Sequence, residues 1–376
     1  MRMWYIILIV TILITMAGFL YLGHQVGKFQ IVQQLSYQSS KLKINAGYLI
    51  VFIVFCLLVW ALNLVNAIVC LFYFATIWLA CDLAFAVIAH LGRYHFQIYY
   101  AGLCAIILGV ASLSLGWYQA HNVWQTEYNV YTDKDVSKLK IAFLADTHIG
   151  TTFNGTEFEQ HIKKIQDNFP DAVFIVGDFV DDSTSKAEMI TAAKALSTLK
   201  TKLGVYFVLG NHDKGYYGSA YRGFSMDELV EELQKNNVTV LQDEVVALNP
   251  QFYLIGRKDA GENKHGRHRL PMAELAKQVP KDKFSIVLDH QPNDYERQQQ
   301  AGVDLVLSGH THGGQLWPLN KVGEWIKAND KTYGLEKRQD TYFIVSSGLS
   351  DWAIKFKTGT KSEFVLVTVE KDKTKK

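Results

Sequence analysis

The stretch Asp304-Leu-Val-Leu-Ser-Gly-His-Thr-His-Gly-Gly-Gln315 decides how the rest of the chain is read. Residues 305–307 are a short apolar run of the kind that forms a buried strand, and Ser308-Gly309 lets the chain turn sharply where a Cβ would obstruct it. Two histidines follow at i and i+2, which aims His310 and His312 at two points a few ångströms apart, while Gly313-Gly314 keeps the space above them open. A lone histidine is most often a satisfied polar residue. A pair on a glycine-flanked strand exit points to a metal instead.

Working outward, four more apolar runs end in ligand-type residues. Residues 141–145 lead into Asp146-Thr-His148, residues 172–176 into Gly177-Asp178, residues 205–209 into Gly210-Asn211-His212-Asp213, and residues 286–288 into Asp289-His290. In a layered α/β domain successive strand ends fall along one edge, so these side chains are expected to converge. The five blocks, in this order from Asp146 to His312, resemble the pattern of the calcineurin-like metallophosphoesterases. The resemblance implies an α/β fold, a four-layer α/β/β/α sandwich with metals at one edge of its two sheets. It also implies a ligand set: Asp146, His148, Asp178 and His312 for one cation, and Asp178, Asn211, His290 and His310 for a second, with Asp178 as the bridge.

That implied chemistry suits the residues. Hydrolysis of a phosphate mono- or diester needs a strong nucleophile at neutral pH and charge neutralisation on the phosphoryl group. Two divalent cations ~3.5 to 4 Å apart meet both needs, with a hydroxide between them attacking phosphorus. Oxygen and imidazole donors without sulfur suit Mn, Fe, Zn or Co, with manganese expected first, and argue against a purely oxygen-seeking calcium site. By the same resemblance His212 is the catalytic histidine, stabilising phosphoryl oxygens or donating to the leaving oxygen. Asp213 is expected to orient the His212 imidazole. Many relatives carry Glu at that position, whose side chain is one methylene longer than that of Asp213.

A chain of 376 residues invites two domains. All four cysteines, Cys56, Cys70, Cys81 and Cys104, lie in the apolar first third, so the remainder has neither a disulfide framework nor a thiolate metal site. Arg2, Lys28, Lys41, Lys43 and Arg93 face a single acid, Asp82, in the first 125 residues, which leaves the rest slightly acidic. A nucleic-acid partner would call for a basic excess there, and none is expected.

Residues 1–120 read as a transmembrane region and 121–376 as the phosphoesterase-like domain. Four membrane helices are predicted, over residues 4–22, 47–64, 67–89 and 97–118, with three as the main alternative. Asn63 and Asn66 mark a tight hairpin between the middle two. The first stretch is long for a signal peptide, lacks a clear cleavage site and is followed by further spans. Lys28, Lys41, Lys43 and Arg93 fall in two connections on one side, which predicts a multi-pass protein of the cytoplasmic membrane with both termini, and the large domain, on the outer face. An error of one helix reverses this. Asp82, inside a span, is expected to be a hydrogen-bonded interhelical acid, the alternative being a headgroup site.

Within the large domain, helices are predicted over 156–168 and 186–199. Strands are predicted over 140–145, 172–176, 205–209, 238–241, 252–255, 284–288, 305–307, 342–345 and 364–369. Weaker site candidates remain. Arg257 and Lys258 could place a cation near a phosphate or form an exposed charged turn. Asp181 and Asp182 are expected to solvate a loop. His265, Arg267, His268 and Arg269 could receive an anionic headgroup, although a mobile solvated insert is the safer expectation. Trp317 could wall a substrate pocket or cover a sheet edge. The expected function is a membrane-anchored phosphoesterase acting on phosphate esters, lipid-linked or cell-envelope substrates among them, with membrane lipids as partners. A non-catalytic scaffold or sensor on the same fold is the rival reading, but a decayed site should have lost ligands, and every block is filled.

Overall fold

A computed structural model describes residues 2–38, 46–265 and 268–373. The chain divides into two compact units, Met1–Leu115 and Gly116–Lys376.

The first unit is helical: α1 (Arg2–Val26), α2 (Gln30–Gln38), α3 (Ala46–Ala61), α4 (Leu64–Gly92) and α5 (Tyr100–His121), whose last turns belong to the second unit. Among the described residues, α1, α4 and α5 are long and apolar enough to cross a membrane. α3 is apolar but has 16 residues. At 1.5 Å per residue it rises about 24 Å, short of the ~30 Å hydrocarbon layer, so the expected second span is present as a helix of marginal length. Asn63, in the left-handed half of backbone space at φ 130°, caps α4 by accepting the Asn66 amide N–H, which makes the expected turn between α3 and α4. α2 lies in the connection read as a loop, while Lys41 and Lys43, on which the orientation reading leans, lie outside the described residues. Asp82 is an interhelical acid as expected. Tyr21 donates to one of its oxygens at 2.9 Å and Tyr99 to the other at 2.6 Å. The Trp78 indole N–H donates to the Tyr99 oxygen at 2.8 Å.

The second unit is a two-sheet sandwich. Its strands are β1 (Trp124–Thr132), β2 (Leu139–Leu144), β3 (Ala172–Val176), β4 (Val205–Val208), β5 (Val238–Leu241), β6 (Glu244–Ala247), β7 (Phe252–Gly256), β8 (Phe284–Leu288), β9 (Leu305–Ser308), β10 (Gly334–Arg338), β11 (Thr341–Val345) and β12 (Glu363–Lys371). One sheet has the order β1-β12-β2-β3-β4-β5 and the other β10-β11-β9-β8-β7-β6. β2 to β5 run parallel, as do β7, β8, β9 and β11.

The layers follow from period-two alternation along fully buried strands. In β2, Ile141 and Phe143 face the core between the sheets with Phe174, Ile286 and Leu307, whereas Ala142 and Leu144 face outward. The outward side is covered by α6 (Gly155–Gln166), α7 (Lys186–Leu196) and, beyond the short α8 (Ser219–Arg222), α9 (Met226–Lys235), through Phe158, Ile162, Met189 and Leu233. α6, α7 and α9 each begin with a reciprocal side-chain cap, from Asn154, Ser185 and Ser225, so their start points are fixed locally. On the other outer face α10 (Met272–Ala276) and α11 (Tyr295–Gln300) pack Met272, Leu275 and Tyr295 on Val287, Val306 and Phe343. The result is the expected α/β/β/α arrangement. The helix predicted to 199 ends at Leu196 and the one predicted to 168 at Gln166, fraying of the last turn that spacing alone does not register.

Candidate metal centre

Parallel pairing puts the carboxyl ends of β2, β3 and β4 at one edge of the first sheet and those of β8 and β9 at one edge of the second. The two edges are stitched together at this level. The Asp146 amide donates to Gly177 O at 3.0 Å, Gly309 N–H to His290 O at 3.0 Å, and His310 N–H reaches from the second sheet to both Asp146 carboxylate oxygens at 2.8 and 2.9 Å. Asp146, His148, Asp178, His310 and His312 all have positive φ, between 39° and 71°. Such backbone is uncommon for residues with a Cβ and persists only where surrounding contacts over-determine it. Here it turns five ligand-type side chains inward.

The preceding glycines have a steric reason. A Cβ on Gly210 would strike the Asp178 carboxylate and amide, and one on Gly309 would press on Ala145 and Asp146 Oδ2. Gly177 combines φ 78° with close approach to the His290 ring. The Gly-Asp, Gly-Asn and Gly-His pairs in the sequence thus record how closely the loops are stacked.

Seven sequence-predicted ligand residues gather here. Asp146, His148 and His312 each offer an atom within 4.8 Å of the others, and Asp178, His290 and His310 form a second such group. Asp178 Oδ2 lies 3.8 Å from His148 Nε2 and 3.1 Å from His290 Nε2, so one carboxylate oxygen reaches both groups. Asn211 joins the second through its Oδ1, 3.2 Å from His290 Nε2. His148, His290 and His312 have their Nδ1 atoms engaged, by Asp181 at 3.2 Å, Val176 O at 2.8 Å and Ser350 O at 3.3 Å. That orientation presents Nε2 to the centre. His148 Nε2 is buried without any hydrogen-bond partner, an arrangement costly for a polar atom unless a cation takes its lone pair. The donor set and this orphaned nitrogen fit a pair of divalent cations.

Burial and the carboxylate–imidazole contacts together set the protonation of these groups. Burial would raise Asp178, but the charge of His290 and its hydrogen bond overcome it and hold Asp178 well below the ordinary carboxylate range. Burial pushes Asp146 up to about 6, opposed by His290 and assisted by Asp178. Burial lowers His310 to about 3 and His312 well below its ordinary value. His310 and His312 are thereby held neutral, the form in which imidazole ligates a metal, whereas against burial Asp181 raises His148 and Asp178 raises His290 well above its ordinary value, so these two would release a proton on binding a cation.

The structure redraws several expected roles. Asp213 does not touch the His212 ring. Its Oδ2 accepts the N–H groups of Gly210 at 2.7 Å and Asp178 at 2.9 Å, and its Oδ1 those of Phe179 at 2.9 Å and Val180 at 3.1 Å. It clamps the two ligand loops to each other, because a fully buried carboxylate needs several donors and the loop amides are the ones within reach. His212 keeps an Nδ1 without a partner and packs among His148, Tyr216 and Trp352, with ring centroids 5.0 to 5.2 Å away. Burial lowers its imidazole, with the Asp178 charge pulling the other way.

Asp181 and Asp182 do not solvate a loop. Asp181 is buried on His148, and His148 helps hold it down at about 2 against burial. Asp182 accepts the amides of Tyr216 and Tyr217 at 3.0 and 3.2 Å. Arg257 is neither a phosphate contact nor an exposed turn. It is buried and pairs with Asp289 at 2.9 Å and Asp294 at 2.8 Å. Arg269, expected in a mobile insert, also pairs with Asp289, directly before His290. The side chains of His265 and Arg267 lie outside the described residues. Trp317 is exposed rather than covering the sheet edge, and its amide donates to Thr358 Oγ1.

Residues that sequence reasoning passed over support the centre from behind. Lys357, fully buried, donates to Ser347 O at 2.6 Å and Ser350 O at 3.3 Å and lies 3.3 Å from Asp351, so it braces the loop that carries the His312 acceptor. Nothing in the local pattern around Lys357 distinguishes it from a surface lysine. Asp181, read from the sequence as a solvated loop acid, had a usable signal for its actual place, since it follows Asp178 by three residues on a strand exit.

With this geometry in hand, comparison with known proteins gives one domain-level answer. The family model described as calcineurin-like phosphoesterase matches residues 139–314. A bovine transmembrane protein with metallophosphoesterase domain is 30% identical over 244 residues, 62% of this chain and 54% of that protein. An uncharacterized metallophosphoesterase of Helicobacter pylori (strain 26695) is 31% identical over 239 residues, 63% of this chain and 61% of its own length. The chain thus spans just over half of these two relatives. Among solved structures, a dimetal phosphatase from Danio rerio aligns with 61% of this chain and 91% of its own at 12% identity and a TM-score of 0.37.

Proposed function

We propose, on the premise that this chain carries a calcineurin-like metallophosphoesterase domain, that it is a membrane-anchored, two-metal phosphoesterase cleaving phosphate mono- or diesters of lipid or envelope type. Asp146, His148, Asp178 and His312 would hold one divalent cation, and Asp178, Asn211, His290 and His310 the other, with manganese the first choice. When bound, the pair would neutralise phosphoryl charge and lower the pKa of water.

The chain's own residues do the rest. Asp178 keeps the two ligand groups at a common distance. Asp181 and Ser350 fix the rings of His148 and His312 through their Nδ1 atoms. His212 donates to the phosphoryl or leaving oxygen, with Tyr216 and Trp352 flanking its ring. Asp213 holds the loops of Asp178 and Asn211 in register and is a positioning residue. The observation that carries the reading is the single Asp178 oxygen lying within 3.8 Å of His148 Nε2 and 3.1 Å of His290 Nε2.

The membrane part would place this site at the outer face of a cytoplasmic membrane, with α3 crossing as a short fourth span. Local thinning of the bilayer accommodates a short helix at modest cost. The test is turnover of bis-p-nitrophenyl phosphate by the detergent-solubilised protein with Mn. We expect Asp178→Asn to abolish it and to lower bound metal from near two per chain. Absence of Asp178-dependent turnover with any divalent metal would refute the assignment, and a wild-type chain without metal would favour the scaffold reading.

A further inference from the structure

The four residues Trp317, Leu319, Trp325 and Ile326 are between 63% and 69% exposed, all within ten positions of one another and directly after the Gly313-Gly314 pair of the site. Exposed large apolar residues that occur singly need no explanation, but four in one short segment form a patch that water covers poorly. The segment is not a loose loop. A short 3-10 turn over Leu319–Lys321 runs into α12 (Val322–Trp325), Glu324 accepts the Thr332 amide at 2.7 Å, and Thr311 donates to Thr332 O beside His310 and His312. The segment is therefore tied through Thr332 to the loop of His310 and His312, while its four large apolar side chains are left to solvent. Glu324 is turned inward by that bond, and the exposed charges along the segment are Lys321 and Lys327. Tryptophan with lysine over an aliphatic base is the composition of a surface that sits at lipid headgroups.

The chain itself says which surface is near. Within the second unit, the last turns of α5, a helix apolar and long enough to cross a membrane, are held by Lys357 N–H on Gly116 O at 3.0 Å. The next residue, Thr358, accepts the Trp317 amide at 3.0 Å and donates its own amide to Gln315 O at 2.9 Å. Trp317 is thus a few bonds from the point where a membrane helix ends. Tyr118 and Trp117, in those same last turns, are exposed as well.

We propose that residues 316–327 are a membrane-docking element that rests on the headgroup layer of the bilayer, with Trp317, Leu319, Trp325 and Ile326 inserted and Lys321 and Lys327 on lipid phosphates. The element follows in sequence on the loop that carries His310 and His312 and would hold the site at the lipid surface, so the substrate it favours is a phosphate ester on an acyl-chain amphiphile drawn from that bilayer. The substrate part rests on the proposed phosphoesterase activity, whereas the docking part does not.

The experiment uses the full chain reconstituted in vesicles of phosphatidylcholine and phosphatidylglycerol, with and without bromine on the acyl chains. Wild-type protein is compared with the Trp317→Phe/Trp325→Phe variant. The difference in emission between the two isolates these tryptophans from those in the helices. Expected is a blue-shifted difference emission, most of which is lost in brominated lipid. Equal difference emission in both lipids overturns the proposal. So does an unquenched emission that shifts with the protein-to-lipid ratio, which would assign the patch to a second copy of the chain. Because the replaced side chains are exposed and outside the ligand set, bis-p-nitrophenyl phosphate turnover should be the same in both proteins. Quenching without turnover in either would refute the phosphoesterase reading and leave the docking element standing.

Discussion

Replacing Asp213 by asparagine separates a clamp from a catalytic partner. The carboxylate accepts four buried amides, two on each oxygen. An asparagine amide can keep its oxygen on one pair but must turn its NH2 towards the other, which orphans two buried donors. At about 1–3 kcal/mol per unsatisfied buried group, the loss is roughly 2–6 kcal/mol. For a domain of this size each kcal/mol lowers Tm by about 2–4 °C, so the transition should fall by roughly 5–20 °C. The assay is thermal unfolding of the purified metal-loaded chain, followed by intrinsic fluorescence, alongside the pH profile of bis-p-nitrophenyl phosphate turnover in the folded range. A variant with unchanged Tm and a displaced pH optimum would refute the clamp and restore Asp213 as the partner of His212.

Two further outcomes follow from groups outside the ligand set. Burial, with Lys164 nearby, lowers His161 to about 4, and its Nδ1 has no partner, so the folded state resists a proton that the unfolded chain takes up at about 6.5. Its stability contribution is therefore complete above pH 6.5 and is lost as the pH falls towards 4, by at most about 3 kcal/mol. In His161→Leu the fall of Tm across that window should be shallower than in wild type, and parallel curves would show the reasoning wrong. Lys357→Met should cost about 3–5 kcal/mol, because it strands the buried Asp351 carboxylate, which burial already raises and Lys357 pulls back down. Adding Asp351→Asn should recover part of that loss, measured as a positive coupling in a double-mutant cycle of unfolding free energies, and strict additivity would exclude the pair as a unit.

By itself the sequence, through the family pattern it resembles, implied the layered fold and named the seven side chains that the structure brings together. Runs such as residues 141–145 and 305–307 are apolar because both faces of their strands are buried, and their ends bear Asp146, His148, His310 and His312 because parallel strands deliver their ends to one edge. Glycine beside each ligand is legible for the same reason, since Gly177, Gly210 and Gly309 stand where a Cβ has no room. Only the tertiary structure decided what the neighbouring charges do. Asp213, Asp181, Arg257 and Arg269 looked like a catalytic partner, a solvated acid and loop cations, yet each is buried against groups supplied from other loops. A charged side chain's role is set by which donors or acceptors remain within a few ångströms once water is excluded, and those partners lie up to 37 residues away, as Arg257 and Asp294 do. Period and composition register what a residue does to its own strand or helix, and they carry no record of what reaches it from the next one.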